Sequence, residues 1–207
     1  MTTRSETARD ALRLQTNDVH QQLHRHAPFV ALFDGFIGRD DYCALMVRFY
    51  GFYAALDRAI AQALSYPTQG FACIERAGFL AQDLTDLGLG SAAIANCPAC
   101  EDVNAIVTPA SLGGVLYVIE GANLGATQID RAAQKLLSPD HTRGRSFWAW
   151  SRLHNCSRWG GVTAYLADLD AASHPHKPPI HGANDVFQAL ANWLAPLDQS
   201  AVAMEVL

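Results

Sequence analysis

The chain has 207 residues, half of them hydrophobic and 17% charged, with a formal charge of −5. That length supports one sizeable core, and the composition excludes a disordered chain. With no basic block and no apolar run long enough to span a bilayer, nucleic-acid and membrane partners are not expected.

The opening segment, MTTRSETARDALRLQTNDVH, is polar and lacks the apolar centre of a secretory leader. The five cysteines show no small-scaffold spacing, so no disulfide framework is implied. The expected setting is soluble, reduced and cytoplasmic.

Strand-like alternation is scarce, whereas apolar residues recur at intervals of three and four. The first predicted helix lies in SETARDALRLQTNDVHQQLHRH, where Ala8, Leu12, Val19 and Leu23 keep that rhythm and Ser5 or Thr7 caps the start. A long helix follows over residues 39–66, ending before Pro67, and another over 71–90, ending near Gly88 and Gly90. A fourth, with its approach, covers about 109–137. Two shorter helices are predicted over 144–155 and 157–172, and NDVFQALANWLAPL, residues 184–197, closes the chain. Every connection is short and carries Gly, Pro or Asp. The expectation is a single all-α domain over residues 1–207, an irregular helical bundle with its core at about 8–195.

The fourth segment contains YVIEGANLGATQIDRAAQKLL, with Gly121 and Gly125 one turn apart. Each costs about 1 kcal/mol relative to Ala inside a helix. Close helix packing is one explanation and a kink is a second. The third is close approach of backbone to a flat ligand. Tyr117, Gly121 and Gly125 form one stripe with Ala122 and Ala126 beside it, a surface poor in side chains. A flat ligand carrying a metal needs an axial donor. On the first helix, His20 shares a face with Thr16 at the edge of the apolar stripe, and a neutral imidazole there suits iron. Spacing does not by itself select it among the eight histidines.

Two separated segments together resemble heme oxygenases, in particular the bacterial group found beside bacteriophytochromes. The first is Leu12, Arg13, Thr16, His20 and Leu23, and the second is LYVIEGANLGA, residues 116–126. Weaker similarity lies in GRSFWAWSRLHNCSRWGG and in the spacing of Ala183, Phe187, Leu190 and Trp193, so the resemblance runs from about residue 10 to 195. It implies a heme-oxygenase-like fold with His20 as the proximal iron ligand. Gly121 and Gly125 would then lie on a distal helix that bends over the heme. Arg13 and, through a looser alignment, Arg158 would meet the propionates, and Asn17 would donate a hydrogen bond at that edge. The implied reaction cleaves heme, at once substrate and oxygen-activating cofactor, to biliverdin, carbon monoxide and iron. Electrons would come from a reductase or ferredoxin, and a phytochrome is a possible recipient of biliverdin.

Three positions depart from the family pattern. Ala122 stands where relatives carry Ser or Asp, Ala126 replaces the second glycine of a pair, and His24 takes a place often held by a carboxylate. These departures bear on turnover more than on heme binding, so a non-catalytic carrier or sensor stays open as a second reading. A helical protein of the same fold with another ligand, or none, is a third. Cys97 and Cys100, in CPAC, lack the second half of a zinc site and read as a loop between helices. His174, His176 and His181 fall in a Pro-rich connector read as solvated. Tryptophans at helical spacing read as core, with Phe147 or Trp148 reaching a pocket wall.

Overall fold

The computed structural model describes residues 7–64 and 74–204, with side chains through Asp198. Among the described residues every regular element is helical, in the order α1 (Ala8–Leu23), α2 (Ala27–Asp34), α3 (Arg39–Ala63), α4 (Arg76–Asp86), α5 (Ser91–Ala95), α6 (Val103–Ile106), α7 (Leu112–Ala122), α8 (Ala126–Leu136), α9 (Ser146–Ala171) and α10 (Lys177–Met204). A 3₁₀ turn, Asn123–Gly125, separates α7 from α8. The all-α architecture expected from the sequence is the one observed.

Several boundaries differ. The predicted helices over 144–155 and 157–172 are one continuous helix, α9. Its middle, around Cys156 to Gly161, is polar and Gly-containing, but packing against α1, α7 and α8 holds it helical. The closing helix starts earlier than residue 184, at Lys177, so His181 belongs to it. The segment around 109–137 is interrupted at the 3₁₀ turn. Ser5, residues 65–66 of the second predicted helix and residues 71–73 of the third lie outside the described residues.

A contiguous apolar core is drawn from helices at both ends of the chain, with Leu12, Tyr42, Leu45, Phe52, Leu56, Leu80, Leu112, Phe147 and Leu194 among its buried members. Close approach of α7 to α10 depends on a missing side chain. A Cβ on Gly114 would lie 1.7 Å from the Pro179 carbonyl oxygen, a distance no real atom tolerates. The CPAC loop packs on α3 in a similar way. The Cys100 N–H donates to the Gly51 carbonyl at 3.1 Å, and Cys100 is buried. Burial raises the pKa of both the Cys97 and Cys100 thiols, which keeps them protonated and unreactive.

Helix starts are held by carboxylates, most of them remote in sequence. Thr7 caps α1 locally, accepting from the Asp10 N–H at 3.1 Å. The Ala8 N–H also donates to the Asp170 carboxylate, from the end of α9, at 3.1 and 3.2 Å. Asp198 of α10 accepts from the Ala27 N–H at the start of α2 (2.8 Å) and meets His26 at 2.7 Å. Asp57 of α3 accepts from Ala77 in α4 (2.9 Å), and Asp83 of α4 accepts from Ser146 and Phe147 at the start of α9 (2.6 and 2.9 Å). Each carboxylate neutralises the positive end of a helix dipole while satisfying N–H groups the helix leaves open.

The Asp83 carboxyl is pushed up to about 6 from 3.8 by burial, which outweighs the backbone N–H donors that lower it. A carboxyl raised in the native state adds stability in acid, and that contribution disappears as pH rises through the native value. Relative to Asp83→Asn, the unfolding free energy of the wild type should fall by roughly 2–3 kcal/mol from about pH 4 to about pH 6.5 and stay level above. Urea denaturation of both proteins across that range measures the slope, and a difference independent of pH would contradict it.

Candidate functional site

Helix α1 carries His20, Leu23 and His24 along one edge of a cavity of about 350 Å³. The other walls come from Phe29 and Phe33 of α2, Phe49 and Tyr53 of α3, Trp148 of α9, Phe187 and Leu190 of α10, and residues 122–125 with Gln128 and Ile129. The lining is mainly aromatic and aliphatic with few polar groups, the character of a small-molecule pocket. Its aromatic side is internally packed, Phe49 lying edge-on to Phe29 (5.9 Å) and to Trp148 (5.1 Å). Among the described residues no helix is long and apolar enough to cross a membrane, and no group of three metal-ligating side chains forms.

Burial lowers the pKa of His20, and the neighbouring His24 lowers it further, so its imidazole is neutral near pH 7. The two rings meet edge to face with centroids 4.7 Å apart and Nε2 atoms 3.3 Å apart. On the far side, Phe187 packs edge-on to His20 at 5.8 Å.

The two glycines occupy different surroundings. A Cβ on Gly125 would meet nothing within 4 Å, and the residue lines the cavity. A Cβ on Gly121 would touch the Trp159 ring at 3.4 Å, in packing contact away from the cavity lining. Ala122 lines the cavity, whereas Ala126 is fully buried behind it. Tyr117 stacks obliquely on Trp159 (5.3 Å) beside Thr16, tying α7 to α9 and α1. Thr16 itself is buried and donates to the Leu12 carbonyl at 2.8 Å. Arg13 and Asn17 are exposed on α1, and Asn17 donates to Asp18 at 3.2 Å.

Arg158 faces inward. Its guanidinium pairs with Glu120, a fully buried carboxylate that also pairs with Arg76. Glu120 accepts from the Asn123 side chain at 2.8 Å, and Arg76 meets Asp57 at 3.5 Å. This cluster sits directly behind the cavity, because Asn123 and Tyr53 belong to both the wall and its surroundings. Burial pushes the Tyr53 hydroxyl up to about 12, so it remains a proton-bearing donor. The sequence reading did not reach this cluster. The available signal was Glu120 itself, a lone charge within the apolar run VLYVIEGA, which demands a buried cation.

Solved structures that share this fold include the two that follow. One is heme oxygenase-1 from the cyanobacterium Synechocystis sp. PCC6803 in complex with heme, 19% identical, with a TM-score of 0.75 and 97% of each chain covered. The other is a domain of unknown function with a heme oxygenase-like fold from Shewanella denitrificans, 11% identical, with a TM-score of 0.73 and 95% of this chain and 94% of that chain covered. The fold is therefore the all-α heme-oxygenase-like bundle. No curated protein matches the sequence. The family model for heme oxygenase matches residues 6–195, and the chain belongs to that family.

Replacing Glu120 with Leu would leave Arg76 and Arg158 facing each other without their shared carboxylate. Removing one partner of a buried ion pair typically costs about 3–5 kcal/mol. Glu120→Leu should lose stability on that scale in chemical denaturation, while Arg58→Ala, which breaks an exposed pair with Glu101, should change it by less than about 1 kcal/mol.

Proposed function

We propose that the protein binds heme in the cavity between α1 and the α7–α8 break, and acts as a heme oxygenase with His20 as the proximal ligand. The observation that carries this reading is the shared cavity: a neutral imidazole and an exposed glycine backbone line it together, in a chain of this family. The residues present fit the group. An aromatic and aliphatic lining suits a porphyrin face, and the cavity volume lies within the range of small-molecule sites, about 300–1,000 Å³. Gly125 leaves room for a flat surface to approach the backbone. When bound, heme supplies both the oxygen-activating iron and the macrocycle that is opened to biliverdin, releasing carbon monoxide and iron.

The chain's own part is to hold and to exclude. His20 offers an unprotonated nitrogen, because burial and His24 both disfavour the imidazolium. Phe49, Phe187, Trp148 and Leu190 remove water from the porphyrin faces. Asn123, fixed by Glu120, brings polar side-chain atoms to a cavity wall, and backbone groups of residues 122–125 share that wall. Trp159 packs beside Gly121 at the last turn of α7, next to the break. Arg13, with Asn17 one turn nearer to His20, serves the propionate edge. Arg158 serves the ceiling indirectly, through Glu120, and Tyr117 with Thr16 buttresses the same helix. Electrons come from an external reductase or ferredoxin, and the setting is cytoplasmic, with a phytochrome as a candidate recipient of biliverdin.

A carrier or sensor is the second reading. Two observations favour it: His24 places a second imidazole nitrogen beside the first, and Ala122 brings only a methyl group to the cavity wall. Hemin titration of the wild type and His20→Ala, followed by aerobic incubation with ascorbate, separates the readings. The oxygenase should bind one hemin per chain, lose or alter its Soret spectrum in the variant, and convert bound heme to biliverdin. A carrier would bind and stop there.

Gly125→Leu tests the cavity independently of iron ligation. Its side chain enters open space, so thermal stability should hold within a few degrees, while hemin affinity should drop at least about ten-fold because binding surface is blocked. Equal affinity would remove Gly125 from the site.

A further inference from the structure

His20 and His24 stand one turn apart on α1, the i, i+4 spacing that lets two imidazoles on one helix face hold a single metal ion. Their Nε2 atoms are 3.3 Å apart. Two nitrogens at that separation subtend an angle of about 107° at a zinc ion about 2.05 Å from each, close to tetrahedral. The ring planes are 83° apart with centroids 4.7 Å apart, so the nitrogens meet without the rings stacking. Both residues are exposed at the cavity, so an ion can arrive from solvent. Imidazole suits zinc, copper and nickel, and among the described residues no third His, Cys, Asp or Glu completes a cluster, leaving the remaining positions to water.

We infer that in the heme-free protein His20 and His24 chelate one divalent first-row cation, zinc being the best geometric fit, and that this ion competes with heme. The competition rests on His20 being the heme ligand; the chelate does not. If heme iron takes the same His20 Nε2, the two occupants exclude each other. An Asp or Glu at position 24 would supply an oxygen in place of the second nitrogen and leave no two-imidazole chelate. The ring that donates its Nε2 proton in the His20–His24 hydrogen bond shifts that proton to Nδ1 through solvent, and both Nε2 lone pairs then displace water from the ion, with no change of oxidation state.

Zinc uptake by metal-free protein, read with a chromophoric zinc indicator, tests the chelate without heme. The wild type should bind one more equivalent per chain than either His20→Ala or His24→Ala, because each variant removes half of the pair. Uptake by His24→Ala equal to the wild type would overturn the chelate, since zinc would then reside on other histidines. Hemin added to zinc-loaded wild type should release that equivalent to the indicator. Saturating zinc should raise the apparent hemin Kd at least about ten-fold in the wild type and by less than about two-fold in His24→Ala, each compared with its own zinc-free value. Hemin binding with zinc retained would overturn the competition. If hemin binds His20→Ala as tightly as the wild type, the competition falls along with the proximal-ligand reading, while the indicator result still decides the chelate.

Discussion

A carboxylate withdrawn from water must be matched by cations and hydrogen-bond donors, and the structure is organised around one such group, Glu120. Arg76 reaches it from the start of α4, Arg158 from α9 and Asn123 from the 3₁₀ turn just beyond its own helix. Asp57 on α3 completes the balance on the far side of Arg76. Four helices and a turn are thereby registered against one another at the place where α7 ends. The cavity wall formed by residues 122–125 is fixed from behind by charge, while its other walls are fixed by aromatic packing. A wall held this way keeps its backbone in place, with open space in front of Gly125.

Glycine has separate duties along α7 and just beyond it. Gly114 permits contact with the α10 backbone, Gly121 lies beside the Trp159 ring at a distance where a methyl group would also fit, and Gly125 faces open volume. A forced backbone contact at Gly114 and an open face at Gly125, where the helix is interrupted, therefore coexist within about three turns. Of the three explanations weighed for Gly121 and Gly125, the break in the helix and the open face meet at Gly125, while neither position shows a contact that requires glycine for packing.

Long amphipathic segments were legible because their periodicity is strong: α1, α3 and the α7–α8 region all follow from apolar spacing and from the residues near their ends. The cavity-lining His20 and Gly125 were singled out through motif resemblance and not through periodicity. Helix α2 was missed, although Pro28 in its first turn and the left-handed Gly35 at its end (φ 77°) are a recognisable start and stop. Its eight residues hold too few periods to stand out, and its Phe29 and Phe33 are cavity walls. The expected break inside α9 failed for the opposite reason: local propensity around Cys156 to Gly161 is weak, but tertiary contacts override it. The inward turn of Arg158 was illegible because a guanidinium's partner is set by three-dimensional pairing, and Glu120 lies 38 residues away.

The aspartates that hold helix starts carry a consequence for how the chain reaches this state. Asp170 and Asp198 lie 162 and 171 residues from the N–H groups of Ala8 and Ala27 that they satisfy. Closing such loops costs entropy that grows with loop length, so these bonds form late. On a ribosome, α1 and α2 emerge long before their partners, and their first turns remain solvated until α9 and α10 fold back. The cavity that holds His20 and Phe29 is thus completed from the C-terminal side. Interrupted synthesis would yield a chain with His20 and Phe29 present and no enclosure around them.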